Sequence, residues 1–299
     1  MLSRTIVVSG ASGLVGSALV PALERAGHRV LRLVRREPGT ANEIRWTPSA
    51  HLFDERQLAT VDVVVNLAGE TIGTRWTEAR RRRIRSSRID GTDALVTAIG
   101  KIGRRPMTLI NASAVGYYGD RGDDLLDETQ PSGRGFLAEL CREWEASAKV
   151  ATRHGARVVT MRTGLVLSPT GGALATMLIP FRLGVGGRLG DGRQWMSWIT
   201  LDDLIRGIAW LIEHPDISGP VNMSSPNPVI NAAFTTALGK AIHRPTVFPV
   251  PGFVLRATFG EMADETLLAS QRATPKVLLG SGFAFESPTI EEAFERMLR

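Results

Sequence analysis

The stretch TIVVSGASGLVGSALVPALERAGHRVLRLVRREPG, residues 5–39, decides how the rest of the chain is read. TIVVSG is a β-branched run ending in glycine. SALVPALERAG carries helical apolar spacing, and HRVLRLVRR returns to strand character. Between the first strand and the helix stand Gly10, Gly13 and Gly16, spaced GxxGxxG. Gly10 permits a tight turn, Gly13 lets backbone approach a pyrophosphate, and Gly16 lets the helix pack closely on the strand. The helix start adds free N–H groups and the positive end of a dipole. Strand, glycine loop, helix and second strand in this order predict a dinucleotide cradle formed by Gly10, Ser12, Gly13, Leu14, Val15 and Gly16.

The end of the second strand bears on which dinucleotide. An NAD-binding unit carries an Asp or Glu about 20 residues past the glycines, for the ribose hydroxyls. Here Arg35 and Arg36 stand there, and Glu37 lies beyond them. A guanidinium suits a 2′-phosphate by charge and by bidentate geometry, so the expected cofactor is NADP(H). NLAG at 66–69 ends a third strand, and the small residues Ala68 and Gly69 after Leu67 let the adenine side of a cofactor come close to Leu67, Ala68 and Gly69.

Further strand-like runs (VDVVVNLAG, MTLINASA, ARVVTMRTGLVL, PVNMSS) alternate with amphipathic stretches near 76–100, 135–153, 201–213 and 231–242. That alternation over 299 residues predicts an α/β protein, a doubly wound parallel sheet of the Rossmann type. Residues 1–168, with elements near 199–242, are expected to form the NADP-binding unit. Residues 169–198 and 243–299 read as a smaller substrate-side domain, because 168–198 is glycine-rich without a clear period. A single cysteine, Cys141, excludes an internal disulfide and any multi-cysteine zinc site, and the five histidines lack metal-ligand spacing. No apolar run reaches the roughly 18 residues of a membrane helix, and the N-terminus lacks a signal-peptide layout. A cytoplasmic protein with a small-molecule substrate, no nucleic acid and no membrane partner is expected. The net charge of +6 does not alter this. The arginines of ARRRRIRSSR point all round a helix, with no aromatic interleaving and no nucleic-acid module.

These pieces resemble the extended short-chain dehydrogenase/reductase superfamily of the nucleoside-diphosphate-sugar epimerase type. The matching residues are GASGLVG, NLAG, SRIDGTDAL (87–95), NASAVGYYG (111–119) and MRTGLVL (161–167). A closer likeness is to its atypical "epimerase family protein" subgroup, carried by PFRLGVGG, QWMSWI with Asp202, and the tail GEMADETLLASQRATPKVLLGSGFAF. The resemblance implies chemistry by Ser, Tyr and Lys, with Tyr and Lys four apart on one helix and lysine lowering the tyrosine pKa. It places Ser113 at the serine, Arg88 at the usual asparagine beside the cofactor, and Val166 among the cofactor contacts.

The Tyr-x-x-x-Lys pair is absent. The two tyrosines, Tyr117 and Tyr118, are followed four residues on by Arg121 and Gly122. The nearest register of RGFLAELCREWE sets Leu137 at the tyrosine place and Cys141 at the lysine place. Tyr117 and Tyr118 are thus candidates either for a substitute proton donor or for pocket lining. Cys141 reads as a small buried apolar residue, since no His or Lys nearby in sequence lowers its pKa. Of Asp202 and Asp203, one is expected to cap the following helix.

Overall fold

The computed structural model describes residues 3–47, 52–53, 59–102 and 107–298. Among them the main sheet has strands β1 (Thr5–Ser9), β2 (Arg29–Val34), β3 (Glu43–Thr47), β4 (Leu52–Phe53), β5 (Val63–Asn66), β6 (Thr108–Ala114), β7 (Arg157–Thr163) and β8 (Gly219–Met223). Their spatial order is β8-β7-β6-β5-β1-β2-β3-β4. Seven run parallel, and β4 closes one edge antiparallel to β3. The inner strands read as continuous Val/Ile runs because helices cover both faces. Ile6, Val7 and Val8 of β1 and Val63 and Val65 of β5 are wholly buried.

The chain winds from β1 to β2 and β3, then crosses back to build β5, β6, β7 and β8 on the other side. The winding therefore reverses between β1 and β5. In such sheets ligands bind in the crevice outside the carboxyl ends of the strands at that point.

Among the described residues the helices are α1 (Leu14–Arg25), α2 (Glu78–Ile102), α3 (Phe136–Lys149), α4 (Gly172–Arg182), α5 (Leu201–Glu213), α6 (Asn231–Ala241), α7 (Gly252–Phe259), α8 (Lys276–Gly280) and α9 (Ile290–Leu298). On one face, Leu19 and Leu23 of α1 and Ile208 and Leu211 of α5 pack on Ile6, Val8 and Val65. On the other, Leu95 and Ile99 of α2 and Ala148 of α3 pack on Val7, Val64 and Leu109. A separate core unites Leu174, Leu178 and Phe181 of α4 with Phe234 and Leu238 of α6 and Phe294 of α9. A smaller cluster joins Trp76, Ile84, Leu137, Leu140 and Met262, bringing the C-terminal segment onto α3.

Three local expectations are corrected. The segment 168–198, without a clear period in sequence, contains α4. Its buried residues 174, 178 and 181 have helical spacing, but neighbouring Ile179 and Leu183 are apolar and exposed, which blurs the stripe. EIRWT (43–47) was not read as a strand but forms β3. It alternates Glu43 and Arg45 with buried Ile44 and Trp46, too short a pattern to stand out. The helix cap is neither Asp202 nor Asp203: Thr200 Oγ1 accepts from the Asp203 N–H at 3.1 Å. Buried Asp203 instead accepts the N–H groups of Glu286 and Ser287, at 2.9 and 3.0 Å, and holds the tail to α5.

Candidate functional site

A cleft of about 1180 Å³ lies across the ends of β1, β2 and β5, the crevice the topology calls for. Gly10, Ser12 and Gly13 form one wall, Arg35 and Arg36 another, and Leu67, Ala68 and Gly69 the third. The glycines are required sterically. Gly10 has φ +69°, and a Cβ there would stand 2.8 Å from the Leu67 backbone. A Cβ on Gly16 would stand 2.2 Å from the Gly10 carbonyl oxygen, so only glycine lets α1 come this close. At Gly13 the nearest atom is 3.4 Å away, leaving the backbone open toward the cleft. Gly13 is the N-cap of α1 and supplies no side-chain cap, so the first-turn N–H groups of Leu14, Val15 and Gly16 are free for an anion. The side chain of Leu14 turns away, packing where Gly171 and Gly172 pass. Val15 and Val166 pack against the sheet core.

The wall at 67–69 is held by a buried polar chain. Ser9 Oγ donates to Asn66 Oδ1 at 2.5 Å and accepts the Leu67 and Ala68 N–H groups at 3.2 and 3.3 Å. Asn66 Nδ2 donates to Asn111 Oδ1 and to Thr92 Oγ1, at 2.7 and 3.0 Å, and Trp144 Nε1 donates to the same threonine. The side chains that fix this wall thus come from β1, β5, β6, α2 and α3.

The two arginines differ. Arg36 makes a bidentate pair with Glu43, at 2.9 and 2.6 Å, so its charge is already matched and its pKa is raised by that partner. Arg35 makes no ion pair or hydrogen bond with any described residue and lines the cleft exposed. Arg88 is half-buried on α2. Its Nη1 donates to the carbonyl oxygens of Glu70 and Ile84, both at 3.1 Å, and its guanidinium lies 5.1 Å from the Trp144 ring. It lies against Gly69, where a Cβ would stand 3.1 Å from its Cζ. No described carboxylate is within ion-pair distance of it, and burial pulls its pKa down. By contrast Arg80 and Arg83 pair with Glu70, Arg81 with Glu261 and Arg82 with Glu78, so the basic run is met by acids.

Beside this cleft, at the end of β6, lies a second cluster. Ser113 is buried, and its hydroxyl donates to Glu145 Oε1 at 2.7 Å. Glu145 is held by Arg162 through Nε and Nη2, both at 2.9 Å. Arg162 Nη1 donates to the Tyr118 hydroxyl at 3.1 Å, and that hydroxyl donates to Asn222 Oδ1 at 2.8 Å. Tyr118 is wholly buried, and desolvation raises its pKa to about 12, so its proton stays on and stays inside. Tyr117 is half-buried, with the Arg162 guanidinium 3.5 Å from its ring centroid. Leu137, Cys141 and Glu145 share one face of α3, at i, i+4 and i+8. Cys141 is fully enclosed; burial, then Glu145, pushes its thiol up to about 11, against contacts with Ala114 and Ser113 that pull it down.

Sequence reasoning missed Glu145, Arg162, Glu43 and Trp46. Glu145 carried a usable signal, one turn beyond Cys141 on the same face. Arg162, a charge in the middle of a buried strand, carried another. The two tryptophans of QWMSWI, Trp195 and Trp198, part ways. Trp198 is wholly buried, whereas Trp195 is half-buried, donating to Asp123 Oδ1 at 2.8 Å with Arg272 4.2 Å from its ring.

A doubly wound sheet with a glycine cradle at its reversal point defines a nucleotide-binding α/β protein of the Rossmann type. Residues 6–232 match the NAD dependent epimerase/dehydratase family, and residues 250–297 match a domain of unknown function, DUF1731. The chain belongs to that epimerase/dehydratase family, within the group of "epimerase family proteins" that carry this C-terminal domain. It is 50% identical to an epimerase family protein of Mycobacterium bovis, over 98% of this chain and 97% of the relative. It is 37% identical to a chloroplastic SDR39U1 homologue of Arabidopsis thaliana, over 99% and 87%. The human epimerase family protein SDR39U1, solved with NADPH, superposes with a TM-score of 0.88 at 31% identity, over 98% of this chain and 99% of that one. Among the described residues no helix is long and apolar enough to cross a membrane.

Proposed function

We propose that this chain binds NADP(H) and acts as an oxidoreductase or epimerase on a small carbonyl, hydroxyl or nucleotide-sugar-like substrate, without a Tyr-x-x-x-Lys pair. The observation that carries the reading is the cleft itself, where Gly10 and Gly16 leave no room for a Cβ and Arg35 stands without a partner among the described residues. The free first-turn N–H groups of α1 would hold the pyrophosphate and Arg35 the 2′-phosphate, with Arg88 as a further fixed cation. When bound, the nicotinamide supplies a hydride donor or acceptor. The chain's contribution would be orientation: Ser113, fixed by Glu145, would lie beside the substrate, with Tyr117 against the Arg162 guanidinium. The NADPH found in the human relative supports the same reading. Titration with NADPH and NADH, read by cofactor fluorescence, tests it: equal affinities remove the argument from Arg35.

A second reading, a non-catalytic NADP(H)-binding or redox-sensing protein, is favoured by Leu137 and Cys141 standing where relatives place their tyrosine and lysine. Turnover of NADPH with any member of a carbonyl and sugar-nucleotide panel decides against it.

A further inference from the structure

In a serine that assists a carbonyl, the hydroxyl proton points at the substrate oxygen. Here that proton is directed elsewhere. Ser113 Oγ donates to Glu145 Oε1 at 2.7 Å, and the carboxylate is locked in place by two 2.9 Å bonds from Arg162. Arg162 is itself buried, at 3% exposure, and is fixed on its far side by Tyr118. Neither partner can swing away without leaving a charge buried and unpaired. A serine has one proton and two lone pairs. With the proton given to an ionised carboxylate, what remains to face a ligand is acceptor capacity only. Cys141, one turn before Glu145, is enclosed and keeps its proton, because burial pushes the thiol up to about 11, so no charge there competes for the serine proton.

Resting on the reading that a small hydroxyl or carbonyl compound binds beside Ser113, we propose that Glu145 and Arg162 are a positioning pair that makes Ser113 a hydrogen-bond acceptor, so that this site takes the hydroxyl form of its substrate in preference to the carbonyl form. The pair thus sets the polarity of the site. Leu137 at the tyrosine place supplies no proton for a carbonyl, and Tyr118 is committed inside the protein to Asn222. An alcohol brings its own donor and finds the acceptor waiting; a ketone meets lone pair against lone pair.

Calorimetric titration of the full chain with cyclohexanol and with cyclohexanone reads the polarity of the site directly. The wild-type protein is expected to bind the alcohol about tenfold more tightly than the ketone. Ser113→Ala removes the acceptor and is expected to abolish that preference. The double variant Glu145→Leu/Arg162→Met frees the serine proton without leaving a buried charge unpaired, and is expected to abolish it too. A wild-type protein that binds the ketone as tightly as the alcohol, or binds neither, overturns the proposal, as does a preference that survives in Ser113→Ala. NADPH titration of the same samples separates the two readings. Protein that binds NADPH but lacks the preference refutes only the polarity of Ser113. Protein that shows the preference but binds no NADPH refutes only the dinucleotide reading.

Discussion

Helix α3, which carries Leu137, Cys141 and Glu145, is capped from the C-terminal domain. Glu265 accepts the N–H of Phe136 through Oε1 at 2.8 Å and that of Leu137 through Oε2 at 2.7 Å. Its own N-cap residue, Gly135, has no side chain to do this, and a Cβ there would stand 2.8 Å from Glu265 Oε1. Glu265→Ala therefore strips two first-turn donors of a charged acceptor. Hydrogen bonds to charged groups contribute roughly 1.5–3 kcal/mol each. Loss of an N-cap costs about 1 and at most about 2 kcal/mol. Glu265 is half-buried, so water recovers part of the loss, and we expect a net cost of about 2–3 kcal/mol. At roughly 2–4 °C per kcal/mol for a chain of this order, the midpoint falls by about 4–12 °C. Glu265→Gln keeps one oxygen acceptor but loses the charge and should fall between. Urea unfolding followed by tryptophan fluorescence gives the energy, and hydrogen exchange at Phe136 and Leu137 locates it. A Glu265→Ala protein within about 0.5 kcal/mol of wild type, or with those amides still protected, refutes the reasoning.

Arg35→Ala is expected to lower NADPH affinity about tenfold and leave NADH affinity unchanged, since it removes one charge-assisted contact to the extra phosphate. Arg36→Ala should not reproduce this selective loss, because that guanidinium is already engaged by Glu43; calorimetric titration of both variants checks it. Gly13→Ala, with 3.4 Å to its nearest neighbour, should keep the melting temperature and lose NADPH binding. Gly16→Ala should lose about 1–3 kcal/mol of stability through its 2.2 Å clash, read by the same urea titration. The Cys141 thiol is raised by burial to about 11, so the folded protein holds this proton where the unfolded chain has released it. Stability should therefore fall as pH rises from about 9 to about 11, and a Cys141→Ala variant should lose that part of the decline. Tyr118, raised to about 12, adds a further decline at the alkaline end in both proteins.

The dinucleotide half was legible because its signals are local. A β-branched run, three glycines and an arginine pair lie within 32 residues of each other, and each does its work on its neighbours. Six of the seven parallel strands follow from alternation of strand and helix, which sequence shows directly, while the short β3 does not. What sequence hid was contact between distant segments. Glu43 and Arg36 look like two unrelated surface charges until β3 lies beside β2. Arg162 looked like one more arginine in an arginine-rich chain, although it sits at 3% exposure between a glutamate and two tyrosines. The absence of the Tyr-x-x-x-Lys pair could be read by counting tyrosines. What occupies the vacancy could not, because Ser113 and Glu145 are 32 positions apart and meet only when α3 packs along β6.

The capping carboxylate on α3 also has a consequence for how the protein is made. Glu265 follows Phe136 by 129 residues. At about 5–20 residues per second, synthesis of that interval takes roughly 6–25 s. During that time α3 emerges, β6 can pair with β5 and β7 with β6, while the first turn of the helix lacks its acceptor. Leu137 and Leu140 also wait for Met262 to cover them. A nascent chain stalled before residue 262 would therefore show an apolar face beside a folded nucleotide cradle. That face makes the unfinished chain a client for holding factors on the ribosome, until the segment carrying Met262 and Glu265 arrives and closes it.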